Sequence, residues 1–103
     1  MPRLINSLQN PLIKNLVVLQ EKPRERKKQG LFVAEGLREV SLAMKMGYKA
    51  DALIYDESKT SPEALDLILQ EAVEDPGEII VASTPVMEKI AYRAGVPNVV
   101  ALI

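Results

Sequence analysis

The 103-residue chain contains neither cysteine nor histidine. The first absence excludes a disulfide framework and thiolate metal sites, and it suits a reducing compartment. Together the two absences remove zinc ligation and the Ser-His-Asp and Cys-His arrangements, so any catalysis would fall to carboxylate, lysine, tyrosine or hydroxyl groups. Aromatics are scarce, one Phe and three Tyr, which leaves little for stacking on single-stranded bases. Phe32 stands in an apolar run and reads as core, while Tyr48, Tyr55 and Tyr92 are dispersed. No apolar run is long enough to cross a bilayer or to serve as a secretory signal, and the expected location is the cytoplasm. The five glycines never fall into G-x-G-x-x-G or a Walker spacing, so no phosphate-cradling loop is expected.

What is present fits one domain with a modest core: 48% of residues are hydrophobic and the formal net charge is only -1. That near-neutrality hides a polarity along the chain. Residues 1–49 hold ten Lys or Arg against four acids, a balance of +6, whereas the remainder holds three against ten, a balance of -7. Five of the seven residues in "KPRERKK", Lys22 to Lys28, are basic. A segment of this composition suits an anionic partner, because arginine can hold phosphate oxygens bidentately and each neutralised phosphate releases counterions. A solvated surface loop has the same composition. The acidic residues Glu71, Glu74, Asp75 and Glu78 read as a solvated helix end, and no metal is expected.

Along the chain, helical and extended patterns alternate. Asn10-Pro11 opens a helix with Leu12, Leu16 and Leu19 on one face, ending before Pro23. Residues 22–30, with Pro23 and Gly30, read as an exposed loop, and "LFVAE" at 31–35 as a buried strand. A second helix follows over 36–47, with Leu37, Val40 and Met44 in a stripe and Gly47 as its C-terminal cap. "ADALIYD" is the next strand. Ser61-Pro62 starts a helix carrying Leu65, Ile68, Leu69 and Ala72, which Asp75-Pro76-Gly77 stops. "EIIVAS" is a strand, Thr84-Pro85 opens a helix with Met87, Ile90, Ala91 and Ala94, and "NVVALI" is the final strand. The alternation predicts a three-layer α/β/α sandwich around a mostly parallel or mixed sheet. An apolar strand at the very C-terminus, with nothing after it to cover the sheet edge, suggests that the chain continues.

Several motifs stand in order. They are "SLQNPLIKNLVVL" from Ser7, then Lys22 and Arg24, then "FVAEGLREV" from Phe32 and "AMKMG" from Ala43, followed by "TPVMEKIA" and "GVPNVVA". This ordered set resembles the N-terminal substrate-binding domain of the SpoU/TrmH family of RNA 2′-O-ribose methyltransferases, over nearly the whole chain. The resemblance implies an α/β/α fold like that of ribosomal protein L30e or L7Ae. It also implies recognition of structured RNA, ribosomal RNA ahead of transfer RNA. Asn10, Lys14, Lys22, Arg24, Glu35 and Arg38 match the family pattern, and Arg26, Lys27 and Lys28 join them on charge as RNA-binding candidates. Asn10 can equally be a helix cap. Glu35 can orient an arginine or accept from a ribose hydroxyl, or it can pair locally at the start of its helix.

In the family, S-adenosylmethionine and the catalytic residues belong to a C-terminal knotted SPOUT domain, and nothing in this chain matches that domain's motifs. The expectation is therefore a single non-catalytic RNA substrate-binding domain, residues 1–103, that holds no cofactor itself and is monomeric in isolation. Its parent would be an S-adenosylmethionine-dependent homodimer. A stand-alone L7Ae-like kink-turn binder and a protein-interaction domain using the basic loop are the alternatives.

Overall fold

The computed structural model describes residues 3–73, 77–91 and 98–103. Its elements are β1 (Arg3–Ile5), α1 (Pro11–Glu21), α2 (Pro23–Gln29), β2 (Val33–Glu35), α3 (Leu37–Lys45), β3 (Ala52–Tyr55), α4 (Pro62–Glu71), β4 (Glu78–Ala82), α5 (Thr84–Ile90) and β5 (Val99–Leu102). The helix starts follow from local chemistry. Asn10 Oδ1 accepts from the Leu12 N–H at 2.9 Å and Ser61 Oγ from the Ala64 N–H at 3.1 Å, with proline in the first turn behind each cap. Glu74, Asp75 and Pro76, Tyr92, and the segment containing Ala94, Gly95 and Pro97 lie outside the described residues.

The five strands form one mixed sheet in the order β1-β4-β3-β5-β2. β1, β4 and β3 run parallel, whereas β5 is antiparallel to both β3 and β2. Alternation along each strand sends side chains to opposite faces. Ala52, Ile54, Ile80, Ala82, Val100 and Leu102 meet Ile13, Leu16 and Leu19 of α1 and Val86, Met87 and Ile90 of α5. Leu53, Tyr55, Val99 and Ala101 meet Val40, Ala43 and Met44 of α3 and Ile68 of α4. Two apolar cores thus close the two faces, as the expected α/β/α sandwich requires, and each fully buried aliphatic side chain contributes about 1.5–3 kcal/mol.

Four details differ from the sequence expectation. Residues 23–29 form a helix rather than a loop: Pro23 fits its first turn, Glu25 and the basic Arg26, Lys27 and Lys28 complement its dipole, and Gly30 closes it at φ 69°. Arg3–Ile5 adds a parallel edge strand beside β4, too short to carry a pattern of its own. The final strand is interior, not an exposed edge: β5 lies between β3 and β2, and Val99 to Leu102 are all buried. Phe32 is not core. It precedes the three-residue edge strand β2 and remains 38% exposed, because an edge has a neighbour on one side only.

Candidate nucleic-acid interface

α2 doubles back along α1, and its two sides do different work. Arg26 Nη1 donates to the carbonyls of Leu19 at 2.7 Å and Gln20 at 3.1 Å, capping the end of α1. One turn further on, Gln29 and Asn15 exchange reciprocal amide bonds of 2.9 and 3.0 Å, and Gln29 also donates to Glu25 at 3.2 Å. The side facing α1 is therefore fastened at two points, Arg26 and Gln29. Arg24, Lys27 and Lys28 stand at i, i+3 and i+4, which places them together on the other side of the helix. All three are exposed, as is Lys22 at the helix junction. Among the described residues none of these four makes an ion pair or a side-chain hydrogen bond. Like charges at this spacing cost a few tenths of a kcal/mol, so the cluster is not there to stabilise the helix, although Lys27 and Lys28 recover part of that at its C-terminal end.

The other sequence candidates are dispersed. Asn10 spends its side chain on the α1 cap. Lys14 is exposed on a different side of α1, where with Lys89 it borders a shallow groove of about 310 Å³ also lined by Leu8, Gln9, Ile13 and Val17. Glu35 is buried on β2 and accepts from Gln20 Nε2 at 3.3 Å, while the same Gln20 amide donates to the Ile90 carbonyl. That bridge ties β2, α1 and α5. Arg38 lies across the sheet, in the first turn of α3. It lines an open groove of about 630 Å³ with Phe32, Val33, Ala34, Glu39, Leu42, Ala43, Met46 and Tyr48. There the Phe32 and Tyr48 rings meet edge to face, with centroids 5.6 Å apart at 86°. The structure thus joins Lys22, Arg24, Lys27 and Lys28 on one surface, gives Lys14 and Arg38 separate ones, and engages Asn10, Arg26 and Glu35 in internal hydrogen bonds.

A polar network missed at the sequence level sits where β3 and β4 end. The buried Asp56 carboxylate accepts from the Ser58 amide at 2.9 Å, the Ser58 hydroxyl at 2.6 Å and the Thr84 hydroxyl at 2.8 Å, and Thr60 Oγ1 donates to the Asn98 carbonyl at 2.9 Å. Burial pushes the Asp56 carboxyl up, but the hydrogen bonds from Ser58 and Thr84, with Lys59 nearby, outweigh it and hold the group below its ordinary value. The network clips the β3–α4 connection to α5 and to the start of β5. Its sequence signal was the Asp-x-Ser of an Asx turn, Asp56-Glu57-Ser58, directly after a strand. The acidic residues near the end of α4 diverge: Glu71 accepts from Ser41 and pairs with Lys45 at 3.8 Å, while Glu78 pairs with Arg3 at 3.2 Å. Among the described residues no group of three or more carboxylates is placed to hold a metal ion, and no helix is long and apolar enough to cross a membrane.

Three comparisons bear on this arrangement. A family described as "MRM3-like substrate binding domain" matches residues 10–101. Among solved structures, an RNA 2′-O ribose methyltransferase is similar at 26% identity and a TM-score of 0.77, over 96% of this chain and 36% of its own. An AdoMet-bound rRNA methyltransferase from Sinorhizobium meliloti is similar at 25% identity and a TM-score of 0.76, over 97% of this chain and 35% of its own. The SpoU methyltransferase AviRb from Streptomyces viridochromogenes, in complex with AdoMet, shares the fold at 21% identity and a TM-score of 0.74, over 91% of this chain and 35% of its own. The chain thus spans about a third of the length of the solved structures it matches. No curated protein matches it.

Proposed function

The chain belongs to the MRM3-like substrate binding domain family, the substrate-binding part of SpoU/TrmH-type RNA methyltransferases, and from that premise we propose that it is the RNA-holding piece of an S-adenosylmethionine-dependent RNA 2′-O-ribose methyltransferase. The observation that supports the reading best is the outer face of α2. It presents Arg24, Lys27 and Lys28, with Lys22 beside them, while Arg26 and Gln29 fasten the helix from behind. Arg24 offers a planar fork that fits two phosphate oxygens, and the lysines act as mobile point charges. On a rigid helix they can follow the backbone of a folded RNA, which is recognised largely by shape and by phosphate and 2′-hydroxyl contacts. Lys14 and Arg38 stand on separate surfaces and are not part of this face.

In this reading the SPOUT catalytic domain, the cofactor and subunit pairing belong to the parent protein, which is cytoplasmic and acts on ribosomal RNA ahead of transfer RNA. The domain itself is monomeric. The test is a salt-series titration of the chain against structured ribosomal RNA fragments, with duplex DNA as control. Wild type should bind one structured fragment preferentially with a steep salt slope, and the Arg24→Ala/Lys27→Ala/Lys28→Ala variant should bind weakly with a flatter slope and an unchanged melting temperature. A wild-type affinity and slope in that variant would refute the assignment of α2.

A further inference from the structure

The groove between β2 and α3 is a surface feature that the α2 reading leaves unused. Phe32 is 38% exposed, Tyr48 49%, Leu42 58% and Met46 70%, in a chain with only four aromatic residues. Solvating two of four rings side by side forgoes burial that either core could have taken up, and exposed apolar patches of this kind mark binding surfaces. The chemistry at the rim narrows the occupant. Arg38 lines the groove, Lys49 is exposed next to Tyr48, and Phe32 follows the basic α2 after only Gly30 and Leu31. Glu39 is the one acid among the lining residues. Among the described residues the Arg38 guanidinium and the Tyr48 hydroxyl have no hydrogen-bond or ion-pair partner. A planar apolar body that carries negative charge meets all of these groups at once.

Resting on the RNA-binding reading above, we propose that the Phe32–Tyr48 groove takes an unpaired nucleobase of the RNA that α2 holds by its phosphates. The perpendicular ring pair cannot close into a stack on itself, so a ring face is left for a third planar group. Leu42 and Met46 line the slot with apolar surface, the Tyr48 hydroxyl reaches a base edge, and Arg38 takes the attached phosphate or lies over the base. The groove therefore selects RNA with a splayed loop or bulge over a continuous duplex. That preference is one the cations of α2 cannot produce alone.

The experiment uses two RNAs sharing one stem, a hairpin whose loop carries 2-aminopurine and a blunt duplex without unpaired bases. Both are titrated with wild type, Tyr48→Leu, Phe32→Leu, Tyr48→Phe and the triple α2 variant, each checked for its fold by circular dichroism. Wild type should prefer the hairpin and quench the 2-aminopurine. Tyr48→Leu should lose that preference by about fivefold or more at an unchanged salt slope, Tyr48→Phe should keep it, and the α2 variant should weaken both RNAs together. Because Tyr48 lies outside every helix and strand, its variant remains informative if Phe32→Leu fails to fold. Hairpin preference and quenching at wild-type levels in Tyr48→Leu would overturn the base-binding groove and assign it to a protein contact, while leaving α2 intact. No binding of either RNA by wild type would instead overturn the RNA reading on which it rests.

Discussion

Replacing Arg24 and Arg26 separately by alanine removes the same charge from the same short helix two residues apart, yet the variants should fail in different ways. Arg26 gives two hydrogen bonds, of 2.7 and 3.1 Å, to carbonyls in the last turn of α1. Bonds with a charged partner contribute about 1.5–3 kcal/mol, and since the side chain is half-buried and water can reach the freed carbonyls, the loss for the pair should come to about 1–2 kcal/mol. In a domain of this size that lowers the melting temperature by about 4–15 °C. Arg24 is exposed and has no partner among the described residues, so its loss should move stability by less than about 0.5 kcal/mol. Its effect belongs in RNA binding. One lost phosphate contact reduces the slope of log K against log salt by just under about one, so raising salt fourfold should narrow the gap between wild type and Arg24→Ala by about threefold. Differential scanning fluorimetry and a salt-series titration of the two proteins read both quantities. Equal melting temperatures for the two variants would refute the cap, and a wild-type salt slope in Arg24→Ala would refute the phosphate contact.

Gly77→Ala should destabilise by at least about 2 kcal/mol, because a Cβ there would lie 2.5 Å from the Ala50 carbonyl oxygen and 2.6 Å from the Asp51 carbonyl, at a φ of +80° that favours glycine; a melting point within a degree of wild type would contradict the clash. Asn10→Ala should cost about 0.5–2 kcal/mol in urea unfolding, through the α1 cap, without changing RNA affinity. Asp56→Asn should destabilise at neutral pH and remove part of the acid dependence. A carboxyl held below its ordinary 3.8 contributes stability that is present above that value and lost as pH falls through its folded-state pKa, so wild type and variant should converge in melts taken down to acid pH. A gap that stays constant from neutral to acid pH would rule out the charged network as its source.

The alternation of Leu, Ile and Val runs with capped helices was enough to read the sandwich, since the strands after β1 announced themselves by apolar residues and the helices other than α2 by a terminal signal and a stripe. What it could not convey was which strands neighbour which. Nothing local in "NVVALI" says that it lies antiparallel between β3 and β2, because pairing is set by the whole sheet. Arg3–Ile5 was illegible because three residues hold no period. The segment 22–30 was misread because proline and charge are loop signals until Pro23 and Gly30 are seen as the two ends of one helix. The basic residues were legible as a charge run, but not which of them faced inward; the i, i+3 spacing of Arg26 and Gln29 against that of Arg24 and Lys27 could have separated them once a helix was assumed. Phe32 and Tyr48 lie 16 positions apart, and no sequence signal joins them before the sheet edge and the end of α3 are placed.

The position of β5 also governs the order in which this surface can come into being. Among the described strands β2 pairs only with β5, and β5 is the last of the five in sequence. During synthesis β1, β3 and β4 can pair as a parallel unit once Ala82 has emerged, while β2 waits for residues 98–103 to cross the sheet. Such distant pairings are slow to form, since a long loop must be closed before any contact is gained. The aromatic groove beside β2 is therefore among the last parts of the domain to be set in place, and a nascent chain stalled before Val99 would hold its central strands, and α2 fastened locally to α1, without a fixed strand beside that groove.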